Sequence, residues 1–366
     1  MSQRSWSQAG RRMRIVVDAS PLRDSRRHAG IGRYASSMLA ALSKHQEIDL
    51  HTVMPLLPPV LDALLVRWLN AQPGLALARP FHSGALLHGM ASDASLVWPP
   101  ERQVVTIHDV IPWTVDIPSS ATKRHIESQR RRLPRCAAII AVSPAAANDA
   151  INELALDPSR VHVVPEGVDP IFTAVPDAGD GAVRHQLGLP ATYVLWVGSL
   201  RYHDPRKALD GLLEAMSQVE GASLVMTGAE GEESQRLLGR AAELGVPLVL
   251  TGYVSDADLA ALYRGAAVVA VPSLHEGFGL PVVEALASGA PVVAARAGNL
   301  PALGGGTVVL VPPGDSRALA RALSDLLKDR PARARLAAAG PSVAAAYRWS
   351  RAAEMTVAVY RTVLNA

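Results

Sequence analysis

The sequence predicts an α/β protein of two domains, each built on a parallel sheet with helices on both faces. Its 366 residues exceed what one ordinary hydrophobic core organises. Short β-branched runs alternate with helical patterns in both halves of the chain. Between the halves lies Val175-Pro-Asp-Ala-Gly-Asp-Gly181, a turn-forming composition. We therefore expect domains over residues 1–172 and 190–345, joined by a linker over residues 173–189.

The strands predicted in the first half are nearly continuous apolar runs, as buried parallel strands are. They are Arg14–Asp18, Val104–Ile107, Ala138–Val142 and Val161–Val164. Gly32–Leu42 has the apolar spacing of an amphipathic helix. Ser143-Pro144 is typical of a helix start, because serine caps the free N–H groups and proline fits the first turn.

The second half repeats the alternation of strands and helices. Strands are predicted at Tyr193–Val197, Ser223–Thr227, Leu248–Leu250, Val268–Val271, Val292–Ala294 and Val308–Val311. Helices are predicted to begin near Lys207, Glu232, Asp256, Leu280 and Asp315, and a last one is expected within Val343–Leu364. In doubly wound sheets ligands bind beyond the carboxyl ends of the strands, so the loops there are the candidate sites.

Composition narrows the classes of function. Hydrophobic residues make up 49% of the chain and charged residues 19%, which indicates a folded protein. The single cysteine, Cys136, excludes an internal disulfide and a cysteine-based zinc cluster, and it favours a reducing compartment. The first residues lack the apolar core of a signal peptide, and no apolar stretch reaches the roughly 18 residues needed to span a bilayer. We expect a cytoplasmic protein.

The positive charge is clustered although the net charge is only +3. The clusters are Arg11, Arg12 and Arg14, then Arg23, Arg26 and Arg27, then Lys123–Arg132. Solvated helix faces and an anionic partner such as a lipid head group both explain them. Aromatic residues make up only 4% of the chain, which argues against nucleic acid. We expect a weak contact of Lys123–Arg135 with the inner membrane face or with the acceptor.

The strongest motif is Pro272-Ser-Leu-His-Glu276-Gly277-Phe278-Gly279-Leu280-Pro281-Val-Val-Glu284-Ala285. It follows a predicted strand and opens a helix whose free N–H groups can receive a phosphate. The glycines let the backbone approach a ligand closely. Glu276 precedes the helix and Glu284 lies about one turn inside it, so both carboxylates can hold neutral sugar or ribose hydroxyls.

The second motif, Gly198-Ser199-Leu-Arg201-Tyr-His-Asp-Pro-Arg206-Lys207, also runs from a strand end to a helix start. Cations there oppose the helix dipole, which disfavours a merely structural role. Arginine grips phosphate with two hydrogen bonds and lysine adds a point charge. The motif therefore predicts a phosphate-binding site.

Two further motifs belong to the first half. His108-Asp109 follows the strand Val104–Ile107, so it lies at the ligand end of the sheet, where a structural and a catalytic histidine are about equally plausible. Gly30-Ile-Gly32-Arg-Tyr-Ala matches a dinucleotide-binding fingerprint, but about a dozen residues separate it from the strand that it should directly follow. This spacing weakens the interpretation as a dehydrogenase.

Together these motifs resemble the retaining GT-B glycosyltransferases of the "group 1" family, which includes bacterial mannosyltransferases. The spacing of Glu276 and Glu284 is similar to the family's Glu-x7-Glu motif. Other segments follow in the family's order, namely Gly30–Tyr34, Thr106–Asp109, Ala141–Ser143, Val164–Asp169, Asp204–Lys207, Gly252–Ser255 and Trp349–Tyr360. The resemblance implies two Rossmann-like doubly wound domains facing a central cleft, with a C-terminal helix over about residues 346–366 crossing back to the first domain.

The resemblance also implies roles for individual residues. Arg206 and Lys207 would bind the donor diphosphate, and His108 would face the reacting sugar, with Asp109 beside it on the acceptor side. The implied donor contacts are Gly30, Gly32, Gly198, Ser199, Arg201, Arg206, Lys207, Tyr253, Val254, Glu276, Gly277, Phe278, Gly279, Leu280 and Glu284. The donor would be a nucleotide diphosphate sugar, a UDP- or GDP-hexose first. No metal and no other cofactor are expected, because the cations and the helix N-terminus can neutralise the leaving diphosphate.

The expected activity is transfer of a hexose with retention to an acceptor sugar, lipid-linked sugar or small molecule, in polysaccharide, glycolipid or glycoside synthesis. Two departures from the family pattern bear on the site: Ser199 stands where many relatives carry arginine, and Glu166 where asparagine is common. A nucleotide-sugar epimerase, a phosphorylase and a non-catalytic nucleotide- or carbohydrate-binding protein remain open alternatives.

Overall fold

A computed structural model of the chain describes residues 12–22, 30–53, 79, 84–114 and 120–366. Its contacts divide the chain into two compact units. The first unit takes in the described residues within Met1–Val142, Ala147–Val164 and Ser350–Ala366, and the second Ser143–Ala146 and Pro165–Trp349.

The described part of the first unit is built on a six-stranded parallel sheet. Its strands are β1 (Met13–Asp18), β2 (Ile48–Val53), β3 (Leu86–Gly89), β4 (Gln103–Ile107), β5 (Ala138–Ala141) and β6 (Val161–Val163). The helices of this part of the chain are α1 (Gly30–Leu42), α2 (Ile111–Thr114), α3 (Ser120–Arg132) and α4 (Pro144–Leu154). The strand order β2-β1-β3-β4-β5-β6 reverses direction at β1, as in other doubly wound sheets.

The second unit holds another parallel sheet of six strands, all within residues that the structure describes. They are β7 (Tyr193–Val197), β8 (Ser223–Thr227), β9 (Leu248–Leu250), β10 (Val268–Val271), β11 (Val292–Ala295) and β12 (Val308–Val311). Its helices are α5 (Asp180–Gln186), α6 (Leu209–Met216), α7 (Glu232–Leu244), α8 (Asp256–Gly265), α9 (Leu280–Ala287), α10 (Leu300–Leu303), α11 (Ser316–Lys328) and α12 (Arg330–Ala344).

The strand order of the second sheet indicates where along its edge a ligand can bind. The order is β12-β11-β10-β7-β8-β9, so the chain moves one way from β7 and then returns to add β10 on the other side. The loops after β7 and β10 therefore separate at this reversal and leave a crevice at the carboxyl ends of the strands. Both of the sequence motifs expected to bind the donor follow these two strands.

The C-terminal helix, Trp349–Asn365, packs on the first unit. Tyr360 lies 2.5 Å from the ring of His88, and Arg361 forms an ion pair with Glu47 at 2.6 Å. The helical stretch expected within Val343–Leu364 is interrupted, because Val343 belongs to the last turn of the preceding helix α12, which ends at Ala344.

The break before the C-terminal helix has a visible cause. The backbone around Arg348 leaves the helical path to bridge Val168, whose N–H donates to the carbonyl of Tyr347 at 3.0 Å. A Cβ on Gly167 would lie 2.3 Å from the backbone nitrogen of Trp349, so the close approach requires glycine.

The segment 173–189, expected to be a linker, is packed into the second unit. It contains α5, whose first residue Asp180 binds the Arg264 guanidinium through both carboxylate oxygens at 2.5 and 2.7 Å. Both side chains are about nine-tenths buried. The arginine holds the pKa of Asp180 below its usual range, against the opposing effect of burial.

Candidate functional site

Two loops meet at the reversal point of the second sheet. One runs from Gly198 to Lys207 after β7, and the other from Pro272 to Gly279 after β10. The strands are neighbours, with Val194 opposite Val268. The backbone N–H of Leu274 donates to the carbonyl of Arg206 at 2.7 Å. The sheet and this hydrogen bond therefore bring the two motifs together.

Glycine lets the first of these loops sit against the loop after β8. Gly198 donates its N–H to the carbonyl of Thr227 at 3.0 Å. Gly228 has a φ of +145°, and a Cβ there would lie 1.8 Å from the Gly198 carbonyl oxygen. Any side chain at Gly228 would push the loop away, so its position depends on glycine.

The Arg206 side chain is already oriented. It lies in a 3-10 turn, Pro205–Lys207, capped by Asp204, which accepts from the Arg206 N–H at 3.1 Å. The Asp204 carboxylate also accepts from Nε at 2.9 Å and Nη2 at 2.7 Å. A guanidinium has five N–H donors, and three of them have no acceptor among the described residues, on a side chain that is one-third exposed.

Lys207 reaches across to the second loop. Its Nζ lies 2.6 Å from Oε1 of Glu276, and the two side chains are 27% and 17% exposed. Burial alone would raise the pKa of Glu276, but Lys207, Ser273 and Arg206 outweigh it and lower that pKa. Glu276 is thus an ionised carboxylate at neutral pH, with oxygens suited to accept from hydroxyl groups.

Gly298 and Asn299, which follow β11, hold the Glu276 loop from the other side. The N–H of Asn299 donates to the carbonyl of Glu276 at 3.1 Å, and its side-chain amide donates to the carbonyl of Phe278 at 3.0 Å. Gly298 has a φ of +51°, and a Cβ there would lie 2.4 Å from the Glu276 carbonyl oxygen. The backbone around Glu276 is therefore rigidly placed.

The helix α9 begins directly after this loop. Its N-cap residue, Gly279, has a φ of +105°, a conformation that glycine adopts without strain. Gly277 and Phe278 are buried, and the Phe278 ring packs edge-on against Tyr347 with centroids 5.7 Å apart. In the first turn Pro281 has no N–H and the Val282 N–H donates to the carbonyl of Gly279 at 3.0 Å. The N–H of Leu280 has no acceptor within the helix, and such a group at a helix start can bind an anion.

Glu284 is placed in the second turn of α9 and is 2% exposed. Its Oε2 accepts a hydrogen bond from the hydroxyl of Tyr263 at 3.0 Å. Tyr263 lies on α8 and packs edge-on against Phe172, with centroids 5.8 Å apart. The Glu284 carboxylate is thus oriented by a buried hydroxyl.

The remaining expected donor contacts of this unit lie at strand ends as well. Tyr253 is 55% exposed and precedes α8, whose N-cap Ser255 accepts from the N–H of Asp258 at 3.2 Å. Val254 is half-buried between them. Ser199 is exposed, and Arg201 is half-buried with its carbonyl accepting from the N–H of Glu232 at 3.1 Å.

The histidine motif lies in the first unit. His108 follows β4, is 9% exposed, and its Nε2 lies 3.0 Å from the carbonyl oxygen of Met90. Its ring meets that of Tyr34 edge-on, with centroids 4.7 Å apart. The carboxylate of Asp109 accepts from the N–H of Ile111 at 3.1 Å and so opens α2. Gly30 and Gly32 form the first turn of α1.

Two arginines of the basic helix α3 are bonded to other parts of the first unit. Arg130 forms an ion pair with Glu153 at 2.5 Å, and Arg132 donates to the carbonyls of Ser95 and Trp98. The apolar residue Leu133, just beyond α3, is buried in the core. Charge remains exposed at Lys123, Arg124 and Arg131.

The cluster at Arg23, Arg26 and Arg27 and the residue Arg11 lie outside the described residues. Within the described part of the chain, no helix combines the length and the apolarity that crossing a bilayer would take.

No role was predicted from the sequence for four residues of the site, although Asp204 lies within the predicted phosphate-binding motif. Asp204, Tyr263, Gly298 and Asn299 orient Arg206, Glu284 and the Glu276 loop. Gly298-Asn299 could have been found, because a glycine in the loop that follows a strand at the ligand edge often marks a close backbone approach. Nothing in the local sequence connects Tyr263 to Glu284, which come together only through packing of α8 on α9.

The two doubly wound sheets, with a cationic loop and a glycine-rich helix start at the reversal of the second, define a GT-B glycosyltransferase fold. A structure of the same fold is that of HepE from Anabaena in complex with UDP and glucose. The two share 19% sequence identity and a TM-score of 0.75 over 96% of this chain and 100% of the other.

Sequence comparison identifies the family. The family described as "Glycosyl transferases group 1" matches residues 191–329, and "Glycosyltransferase Family 4" matches residues 28–172. Two relatives are the MMP α-(1→4)-mannosyltransferase of Mycolicibacterium hassiacum, 34% identical over 65% of this chain, and the D-inositol 3-phosphate glycosyltransferase of Kineococcus radiotolerans, 35% identical over 62%. The chain belongs to the group 1 glycosyltransferases. Its matched part spans 57% of the length of each of these two relatives.

Proposed function

We propose that the protein is a retaining glycosyltransferase that moves a hexose from a nucleotide diphosphate sugar to an acceptor hydroxyl. The base is uracil or guanine in this proposal, and mannose or glucose is the first sugar to test. The mannosyltransferase relative and the UDP and glucose bound by HepE support this choice. The acceptor is a sugar, a lipid-linked sugar or a small polyol, as in polysaccharide, glycolipid or glycoside synthesis.

The observation that carries the proposal is the contact between Lys207 and Glu276 at 2.6 Å. It brings a phosphate-binding cation of one loop beside a hydroxyl-binding carboxylate of the other. A nucleotide diphosphate sugar has two matching parts next to each other, an anionic diphosphate and a neutral sugar rich in hydroxyls. The N–H of Leu280 and the three guanidinium donors of Arg206 that no described residue accepts extend the anionic half of the site.

The proposed reaction is a same-face displacement. The bond between the anomeric carbon and the diphosphate oxygen breaks, and its electron pair leaves on the diphosphate. The acceptor oxygen forms the new bond to the anomeric carbon from that side and passes its proton to the departing phosphate oxygen. Arg206 and Lys207 stabilise the growing negative charge, which is where fixed cations contribute most.

Glu276 and Glu284 bind rather than react in this scheme. Glu276 accepts from hydroxyls of the transferred sugar, and Glu284, held by Tyr263, accepts from the ribose. His108 acts at the reacting sugar, with Asp109 next to it on the acceptor side, as the resemblance implies. The proposal needs no metal and no cofactor beyond the donor.

We also propose a cytoplasmic site of action with weak, salt-sensitive attachment to an anionic membrane face through Lys123, Arg124 and Arg131. Their exposure supports this part of the proposal. Each exposed cation near such a surface contributes up to about 1 kcal/mol, and salt screens the interaction. Vesicles with and without anionic lipid, sedimented at low and high salt, test it. Equal, negligible binding to both contradicts it.

The donor is tested by a thermal shift screen with UDP-, GDP-, ADP- and dTDP-sugars. A specific donor at 100 times its Kd should add about 2.7 kcal/mol of stability. The stabilising donor is then incubated with candidate acceptors, and the anomeric configuration of the product is read by NMR. An inverted product contradicts retention. Isomerised donor without acceptor indicates an epimerase, and a requirement for inorganic phosphate indicates a phosphorylase.

A further inference from the structure

Four buried polar side chains of the first unit form one continuous chain of hydrogen bonds. Tyr360 Oη lies 2.5 Å from His88 Nδ1, His88 Nε2 lies 2.9 Å from Thr106 Oγ1, and Thr106 Oγ1 lies 3.0 Å from Tyr34 Oη. All four residues are fully buried. They come from the C-terminal helix, β3, β4 and α1, so the chain joins elements that are far apart in sequence.

The positions of the protons follow from the number of donors. Among the described residues, the hydroxyl of Tyr360 is bonded to His88 alone, so its proton goes to Nδ1. A neutral imidazole with Nδ1 accepting donates from Nε2, here to the hydroxyl of Thr106, which also shares a hydrogen bond with the hydroxyl of Tyr34. Burial, and to a lesser degree the charge of His108, lowers the pKa of His88 to about 3, which agrees with a neutral ring.

The series of hydrogen bonds ends beside the ring of His108. The Tyr34 ring, whose hydroxyl is held by Thr106, stands edge-on to the His108 ring at 4.7 Å. The Nε2 of His108 is 3.0 Å from the carbonyl of Met90, two residues beyond His88 along the chain. Nε2–H therefore donates to Met90. Two of the neighbours that hold this ring, Tyr34 and Met90, are thus anchored near His88.

We propose that His88 is a positioning residue, which sets the orientation of the His108 imidazole through Thr106 and Tyr34. The inference rests on the proposed function, in which His108 acts at the reacting sugar. An imidazole in the wrong orientation lowers the rate of the chemical step, whereas donor binding depends on the second unit. The expected signature is a fall in kcat with little change in the KM for the donor.

The two ring nitrogens of His88 allow a directional test. In His88→Gln the side-chain amide falls near the position of Nε2 and can still bond Thr106, whereas in His88→Asn it falls near Nδ1 and can bond only Tyr360. We expect both variants to melt at a lower temperature. His88→Asn should lose about three- to tenfold in kcat, the value of one hydrogen bond, and His88→Gln less than about twofold. If the role of His88 were purely structural, the loss of kcat would parallel the fall in melting temperature in both variants.

Tyr34→Phe is the milder second variant, since it keeps the ring and removes only the hydroxyl. We expect kcat to fall about three- to tenfold with the donor KM within about twofold of wild type. The matched control is Tyr193→Phe, which also removes one buried tyrosine hydroxyl, here bonded to the carbonyl of Leu262 at 2.7 Å in the second unit. It should lose stability without losing kcat.

A readout without turnover separates this inference from the proposed function. The side-chain NMR resonances of His108, assigned with His108→Gln, should shift in Tyr34→Phe and in His88→Asn and stay in place in Tyr193→Phe. If the wild-type protein transfers no sugar, the proposed function fails, and these resonances still decide the positioning role. Unchanged His108 resonances in Tyr34→Phe and His88→Asn overturn the inference, whatever the activity.

Discussion

The backbone N–H of Leu274 donates to the carbonyl of Arg206 across 2.7 Å, and this bond joins the two loops that form the candidate donor site. It involves only backbone groups, so it fixes the relative position of the loops whatever side chains they carry. Lys207 then follows Arg206 directly and reaches Glu276, two residues beyond Leu274. A cation and a carboxylate are in this way held side by side at the candidate donor site.

Removing either cation should weaken both donor binding and the stabilisation of the leaving diphosphate. We expect Lys207→Ala and Arg206→Ala each to cost on the order of 1.5–3 kcal/mol, or about 10- to 150-fold in kcat/KM. Lys328→Ala is the control, because Lys328 is exposed at the end of α11. Steady-state kinetics with the donor identified by thermal shift measure the effect. Wild-type kcat/KM in both Lys207→Ala and Arg206→Ala would refute the assignment.

The two glutamates should respond to an isosteric change as binding groups. Glu276→Gln and Glu284→Gln keep the shape but replace a charge-assisted hydrogen bond to a hydroxyl by a neutral one, which is about half as strong. Transfer should fall while the fold survives. Glu243→Gln, on an exposed residue of α7 paired with Arg240, serves as the control. Calorimetry beside the kinetics separates the cases: a Glu284→Gln protein that melts far below wild type would reveal a structural carboxylate.

Much of this arrangement could be predicted from the sequence. The strands Tyr193–Val197 and Val268–Val271 and the helix starts at Glu232, Asp256 and Leu280 are confirmed, because they combine β-branched runs with clear capping and glycine signals. The strand β2 was missed, since Ile48–Val53 carries polar residues on half of its positions. Nothing in the local sequence of the short strand β3 indicates that its third residue, His88, bonds Tyr360, because Tyr360 lies 272 positions further along the sequence.

The interpretation of the basic segment was less complete for a different reason. Its sequence shows the charges of Arg130 and Arg132 but not that a carboxylate and backbone carbonyls elsewhere in the first unit accept their hydrogen bonds. Such pairing depends on tertiary packing, which the sequence of the segment does not show. The exposed charge is therefore smaller than the sequence suggested.

The third prediction concerns metal ions. In the proposed scheme, Arg206, Lys207 and the start of α9 supply the positive charge that a divalent cation would otherwise bring to the diphosphate. Activity should persist in excess EDTA after the protein has been dialysed against it. Loss of transfer on chelation, with recovery on adding Mg²⁺ or Mn²⁺, would contradict the metal-free scheme and redirect attention to the acidic side chains at the site.

The last prediction concerns stability in acid. Burial lowers the pKa of His88 to about 3 in the folded protein, whereas the pKa of a histidine in an unfolded chain is about 6.5. Between these values the unfolded state binds the extra proton, so this contribution is complete above pH 6.5 and is lost as the pH falls toward 3. The free energy of unfolding should decline by up to about 1.4 kcal/mol per pH unit from this one group.

Chemical denaturation between pH 6.5 and 5 measures that slope, since the carboxyls whose pKa is lowered, such as Asp180 and Glu276, titrate below this window. His162, whose pKa burial also lowers, is replaced in His162→Gln so that its share can be subtracted. We expect His88→Gln to flatten the decline seen in wild type. As a check that does not depend on a variant, the His88 imidazole should stay neutral by NMR down to about pH 4. A His88 that titrates near 6.5 in the folded protein would show that its ring is hydrated rather than locked between Tyr360 and Thr106.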